Sequence, residues 1–151
     1  MQQFLPHLLE QTNRLVQDML KNTVATEELH IDQWTILVYL SDGAGHPMGE
    51  LAEASGMSPS KLTKSFDKMV SKGLVQRSVD LDDQRKVVAV ITDLGLATVN
   101  RLNPEIAKLE KILMAKLGRA DHKQLTQLLT QMLLQEETGH DYSAKQFALA
   151  R

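Results

Sequence analysis

Residues 58–86 carry seven basic side chains: Lys61, Lys64, Lys68, Lys72, Arg77, Arg85 and Lys86. They carry four acids, Asp67, Asp80, Asp82 and Asp83, so the segment holds +3. The whole chain is −2, which leaves −5 on everything else. Ser58, Ser60 and Thr63 stand among the first of these lysines. Ammonium groups, hydroxyls and the unpaired N–H groups of a helix start suit a polyanion, above all a nucleic-acid backbone. Salt confines surface fields to about 8–10 Å, so a local patch suffices on an acidic body.

Other chemistries are poorly supplied. There is no cysteine, hence no disulfide framework, thiolate metal site or thiol switch. The five histidines, His7, His30, His46, His122 and His140, are scattered. His30 lies near Glu27, Glu28 and Asp32, but no ligand pair has the helical spacing of a metal site. No nucleophile–base pair stands out, and the loop DGAGHPMG is not a phosphate cradle. Neither an enzyme nor a cofactor or metal protein is expected. No apolar run approaches the ~20 residues of a membrane helix. The first residues, MQQFLPHLLEQTNRL, lack a signal-peptide pattern, so the expected location is cytoplasmic by default.

The elements that must position the basic segment can be read from periodicity. Apolar residues in steps of three and four predict a helix over residues 4–21, with Pro6 in its first turn. Asp32 is a candidate cap for a second helix with Trp34, Leu37, Val38 and Leu40 inward. The loop SDGAGHP follows, then a short helix near 49–55 that Gly56 breaks. Ser58 caps the next helix, with Pro59 in its first position. It runs to about Lys72, with Leu62, Phe66, Met69 and Val70 inward, and Gly73 ends it. The period then changes to two. Val75–Val79 and Val87–Ile91 predict a hairpin with a polar tip. Thr92 caps a long helix to about Leu117, and a last helix starts at Asp121.

A short helix, a glycine turn, a longer capped helix and a hairpin form, in that order, a winged helix-turn-helix. The fold class is mainly α with a small β-wing, and N- and C-terminal helices flank the unit. The expected division of the single domain 1–151 is a DNA-binding lobe at 32–92 and a dimerisation region at 1–28 and 93–151. Those flanking helices are apolar beyond what a small winged helix can cover, and a second copy would bury them.

Several segments resemble the MarR (multiple antibiotic resistance regulator) family. Leu29, Gln33, Trp34, Ile36 and Leu37 are similar to its second helix. Gly49-Glu50-Leu51-Ala52 and Gly56-Met57-Ser58 resemble the entry to its reading unit. Thr63, Asp67, Lys68, Met69 and Gly73-Leu74-Val75 resemble its recognition helix and exit. Arg77, Asp80, Asp83 and Arg85, with Ile91-Thr92 and Gly95, are similar to its wing signature.

The resemblance implies a homodimeric, sequence-specific regulator of double-stranded DNA, of repressor type. It would read a pseudo-palindromic operator and be released by a small aromatic or phenolic effector. The alternative is a winged-helix module that docks protein and not DNA. The candidate DNA-binding residues are Ser58, Ser60, Lys61, Thr63, Lys64, Lys68, Arg77, Arg85 and Lys86. Arg85 is the candidate minor-groove side chain, with Lys86 secondary. Asp83 would orient Arg85, and Arg77 with Asp80 reads as a structural pair at the wing base. Trp34 has core spacing; the resemblance alternatively has it line an effector cavity, with Met19 a second candidate there.

Overall fold

In the computed structural model, residues 4–80, 83 and 86–135 are described. Helix α1 spans Leu5–Val24, with Pro6 in its first turn, and reaches one turn beyond the expected end. Val24 is fully buried, which draws that last turn onto the core. One 3-10 turn, Ala25–Glu27, leads to α2, Ile31–Leu40. Here the sequence expectation needs correction. His30 occupies the cap position, and Asp32 lies inside the first turn. The Gln33 side chain reaches back, its Oε1 accepting the His30 N–H at 3.1 Å. The side-chain oxygen of the buried Gln33 is thereby satisfied, and the inward stripe becomes Gln33, Ile36, Leu37 and Leu40. Trp34 and Val38 fall off that stripe and are half-buried.

Residues His46–Pro47 form a short strand, β1, within the expected loop. Then follow α3 (Met48–Ser55), α4 (Pro59–Ser71), β2 (Val75–Val79) and β3 (Val87–Ile91). The three strands make one antiparallel sheet in the order β1-β3-β2. Arg77 lies opposite Ala89, and His46 pairs with Ala89 from the other side. Helix α5 runs Asp93–Leu117 and α6 runs Arg119–Gln135, starting two residues before the expected Asp121.

The core gathers Ile36, Leu37 and Leu40 of α2, Leu51 of α3, Leu62, Phe66 and Met69 of α4, and Val75 and Ala89 of the sheet. Val24, Leu29, Val99 and Leu102 join it from outside residues 32–92. Val70, expected inward, is 37% exposed. It stands about 100° around the helix from Met69, off the stripe that Leu62, Phe66 and Met69 define. Beyond the core the helices are uncovered. Leu5 and Leu15 of α1, Ile112 and Leu117 of α5, and Leu125, Leu128, Leu129 and Met132 of α6 are exposed. Among the described side chains of α6 none is buried.

One crossing ties the parts together. Thr92 Oγ1 accepts the Gly95 N–H at 3.1 Å, capping α5, and donates to the Gly73 carbonyl at 2.6 Å. The Thr92 N–H donates to the Leu74 carbonyl at 3.1 Å. Gly95 passes so close that a Cβ there would lie 2.1 Å from Leu74 O and 2.8 Å from Ile91 Cγ1. Gly95→Ala must therefore push backbone apart and should lower stability by about 1–3 kcal/mol in denaturant melts. At Gly49, in α3, a Cβ meets nothing within 4 Å. Gly49→Ala should instead raise stability by roughly 0.5–1 kcal/mol through helix propensity.

Candidate nucleic-acid interface

The geometry of α4 starts at its cap. Gly56 takes a left-handed φ of 63°, which ends α3 and turns the chain. Ser58 Oγ accepts the Lys61 N–H at 3.3 Å, and Pro59 occupies the first helical position, where no N–H is missed. Leu62, Phe66 and Met69 then face the core. At 100° per residue, the row farthest from that stripe is Ser60, Lys64, Asp67 and Ser71, flanked by Thr63 and Lys68. All six are exposed. A helix with this much free surface and an open N-terminus can enter a groove and meet phosphates.

The candidate residues differ in how they are held. Thr63 Oγ1 donates to the Pro59 carbonyl at 2.9 Å, which leaves its oxygen free to accept. Lys61 Nζ sits 2.7 Å from Asp32 Oδ2, so this lysine bridges α4 to α2. Among the described residues, Lys64 and Lys68 find no ion-pair or hydrogen-bond partner and stand in solvent. Lys72, at the far end of α4, donates to the Glu28 carbonyl at 2.6 Å.

Arg77 is the bridge between α4 and the wing. Its Nη2 lies 2.6 Å from Asp67 Oδ1, and its guanidinium rests 5.1 Å from the centre of the Phe66 ring. Sequence proximity suggested Asp80 as its partner. The partner the fold supplies is ten residues away, because β2 runs back alongside α4. Asp80 helps close the wing tip: its Oδ1 accepts the Asp83 N–H at 3.0 Å, and its own N–H donates to the Lys86 carbonyl. Lys86 Nζ lies 3.8 Å from Asp83 Oδ2. Arg85, the candidate minor-groove residue, lies outside the described residues, as do Leu81, Asp82 and Gln84. Val79 and Val87, paired across the hairpin, are about half exposed, leaving an apolar stretch before the tip.

The wing root is acidic on its far side. Burial first, then Glu50, Asp42 and Glu53, push the Tyr39 hydroxyl above the usual tyrosine range. His46 Nε2 lies 2.8 Å from Asp42, and its ring meets Tyr39 edge-on. Trp34 has a different environment. Its Nε1 is buried and has no hydrogen-bond partner among the described residues. Nothing in the sequence pattern distinguished that orphaned donor from an ordinary core indole. Met19, the other pocket candidate, is half-buried on α1.

Residues 29–87 match the MarR family. An uncharacterised HTH-type transcriptional regulator of Bacillus subtilis, YwaE, is 29% identical over 123 residues, covering 82% of this chain and 72% of that protein. The repressor CouR, solved bound to a 23-mer DNA duplex, is 25% identical with a TM-score of 0.79, covering 86% of this chain and 92% of CouR. BpsR of Bordetella bronchiseptica, whose DNA binding is regulated by 6-hydroxynicotinic acid, shares the fold at 21% identity and a TM-score of 0.75, covering 85% of this chain and 97% of BpsR. The chain is thus similar to MarR-type regulators in its central segment and in its fold.

The cap gives this site its first check. Ser58→Ala removes an acceptor from the first turn of α4 and should cost about 1 kcal/mol in DNA-free thermal melts. Ser60→Ala, on the outer row, should leave stability within about 0.5 kcal/mol, as surface changes usually do. Equal losses would mean that Ser58 Oγ is not the cap.

Proposed function

We propose that this chain is a MarR-family, sequence-specific transcriptional regulator of double-stranded DNA, of repressor type, acting in the cytoplasm as a homodimer. The observation that carries this reading is the exposed, capped α4 with a charged wing beside it. Lys64 and Lys68 stand ready for phosphates. Ser60 and Thr63 lie where base edges would be met, and Ser58 presents its hydroxyl at the helix start. Arg77 fixes the wing to α4 while its exposed edge faces the backbone. Arg85 is assigned to the minor groove and Lys86 to the phosphates beside it. Asp80 and Asp83 shape the tip that carries them.

The dimer reading rests on α6, which buries no described side chain, and on the exposed leucines of α1 and α5. A second copy packed on these faces would present two copies of α4 with two-fold symmetry, hence a pseudo-palindromic operator. CouR's complex with duplex DNA supports the DNA reading. BpsR's regulation by a hydroxylated aromatic acid supports an effector of that class. Trp34 supplies the local chemistry: a buried N–H without a partner would donate to the carboxylate or phenolic oxygen of such a molecule.

Two measurements test this. A duplex selected by the protein from a random pool should bind with an affinity that falls steeply with salt, and Lys64→Ala should reduce the slope of log K against log salt by about one. Failure to retain any duplex at moderate salt, or binding insensitive to salt, would favour the protein-docking alternative. For the effector, Trp34 is the only tryptophan and serves as its own probe. Hydroxybenzoate should quench its fluorescence saturably and release the duplex. Trp34→Phe should bind DNA as before yet need roughly fivefold to tenfold more hydroxybenzoate for release.

A further inference from the structure

The turn between α1 and α2 offers three acceptors within residues 27–32, each taken by a cation from elsewhere in the fold. The Glu27 carboxylate receives Arg101 Nε at 2.9 Å and Nη2 at 2.7 Å, a bidentate pair. The Glu28 carbonyl receives Lys72 Nζ at 2.6 Å. The Asp32 carboxylate receives Lys61 Nζ at 2.7 Å. Arg101 belongs to α5, whereas Lys61 and Lys72 stand at opposite ends of α4. Those two lysines stand eleven positions apart along the helix, about 16 Å.

The turn itself is built to hold its shape. Glu28 is the one described non-glycine residue with a left-handed φ, 55°. The backbone closes around it through Glu28 N–H to Ala25 O at 3.0 Å and Leu29 N–H to Val24 O at 3.2 Å. Val24 and Leu29 on either side are buried in the core. Arg101 is fixed in turn, since its Nη2 also donates to Thr98 Oγ1 at 3.1 Å. Glu27 is only 24% exposed, and the Arg101 hydrogen bond holds its carboxyl below the usual glutamate range. An isolated surface ion pair contributes little to stability. Two such pairs and a lysine–carbonyl hydrogen bond on one six-residue segment do something else: they determine how two helices sit relative to one another.

We infer that residues 27–32 form an ionic joint that sets the orientation of α4 against α5. Arg101 is thus a positioning residue for DNA binding although it lies on neither α4 nor the wing. A displacement of α1 or α5 moves Glu27, and the rigid turn carries the Glu28 carbonyl and Asp32 with it. Lys61 and Lys72 transmit that shift to both ends of α4. The effect on DNA rests on the function proposed above; the geometric role does not.

The absence of cysteine makes a direct test simple. Spin labels at Ser71→Cys on α4 and Lys111→Cys on α5 report the distance between the helices within one chain, when labelled protein is diluted with unlabelled. Arg101→Gln should broaden or shift the distance distribution, and Lys72→Met should do so from the other side. Exchanging the pair, Glu27→Arg with Arg101→Glu, should restore the narrow distribution. Arg101→Gln should also weaken binding of the selected duplex on the order of fivefold, the scale of coupling between sites. Unchanged distributions in Arg101→Gln and Lys72→Met would overturn the joint. So would broadening that the exchanged pair fails to repair, because Arg101 would then act through packing. If Arg101→Gln does not fold, Lys72→Met and the exchanged pair carry the test. Altered distances with no duplex bound by any variant would support the joint and overturn the DNA-binding reading.

Discussion

The close passage of Gly95 beneath the Leu74 carbonyl is the constraint from which the rest of the lobe radiates. Four elements meet there within a few ångströms: the end of α4 at Gly73, the start of β2 at Leu74, the end of β3 at Ile91 and the first turn of α5. Thr92 binds three of them with one side chain and one backbone N–H. A side chain at position 95 would wedge this crossing open. The reading helix, the wing and the long flanking helix would then lose their common origin. Their mutual angles are therefore properties of a backbone contact, and the surface residues inherit their positions from it.

Local features of the sequence translated directly into structure. Ser58 and Thr92 cap the helices they precede, since a cap depends on a hydroxyl and the next three residues alone. The hairpin strands matched because a period of two is short-range. The misreadings share a cause. Asp32 resembled a cap until Gln33 used its amide for that purpose and pulled the start of α2 back to His30. Val70 looked inward until the core selected the Leu62–Phe66–Met69 stripe. Each depended on which face the tertiary packing chose.

The candidate site was legible in its residue types and much less so in its pairings. Asp67, not the nearer Asp80, supplies the partner found for Arg77, because strand and helix run side by side. Glu27, Glu28 and Asp32 drew notice in the sequence as oxygen donors around His30. In the fold, Arg101, Lys72 and Lys61 occupy those oxygens. Arg101 lies 74 residues from Glu27, and no pattern of spacing could have joined them. The orphaned Trp34 N–H is likewise invisible in sequence, since apolar periodicity records burial and not hydrogen-bond satisfaction.

The pairing of Lys61 with Asp32 and of Arg77 with Asp67 has a consequence for how such a protein moves through a genome. If each cation meets a phosphate as proposed, any stretch of duplex must first displace its carboxylate. Among the described basic residues of α4, Lys64 and Lys68 on the outer face are available at once. Loose association with the vast excess of irrelevant sequence is thereby weakened. A well-matched site, engaging α4 along its length, recovers that loss through base contacts. The ratio between right and wrong sites governs occupancy more than affinity alone. On the contacts proposed above, the two intramolecular ion pairs lower affinity for right and wrong sites alike and leave that ratio to the base contacts.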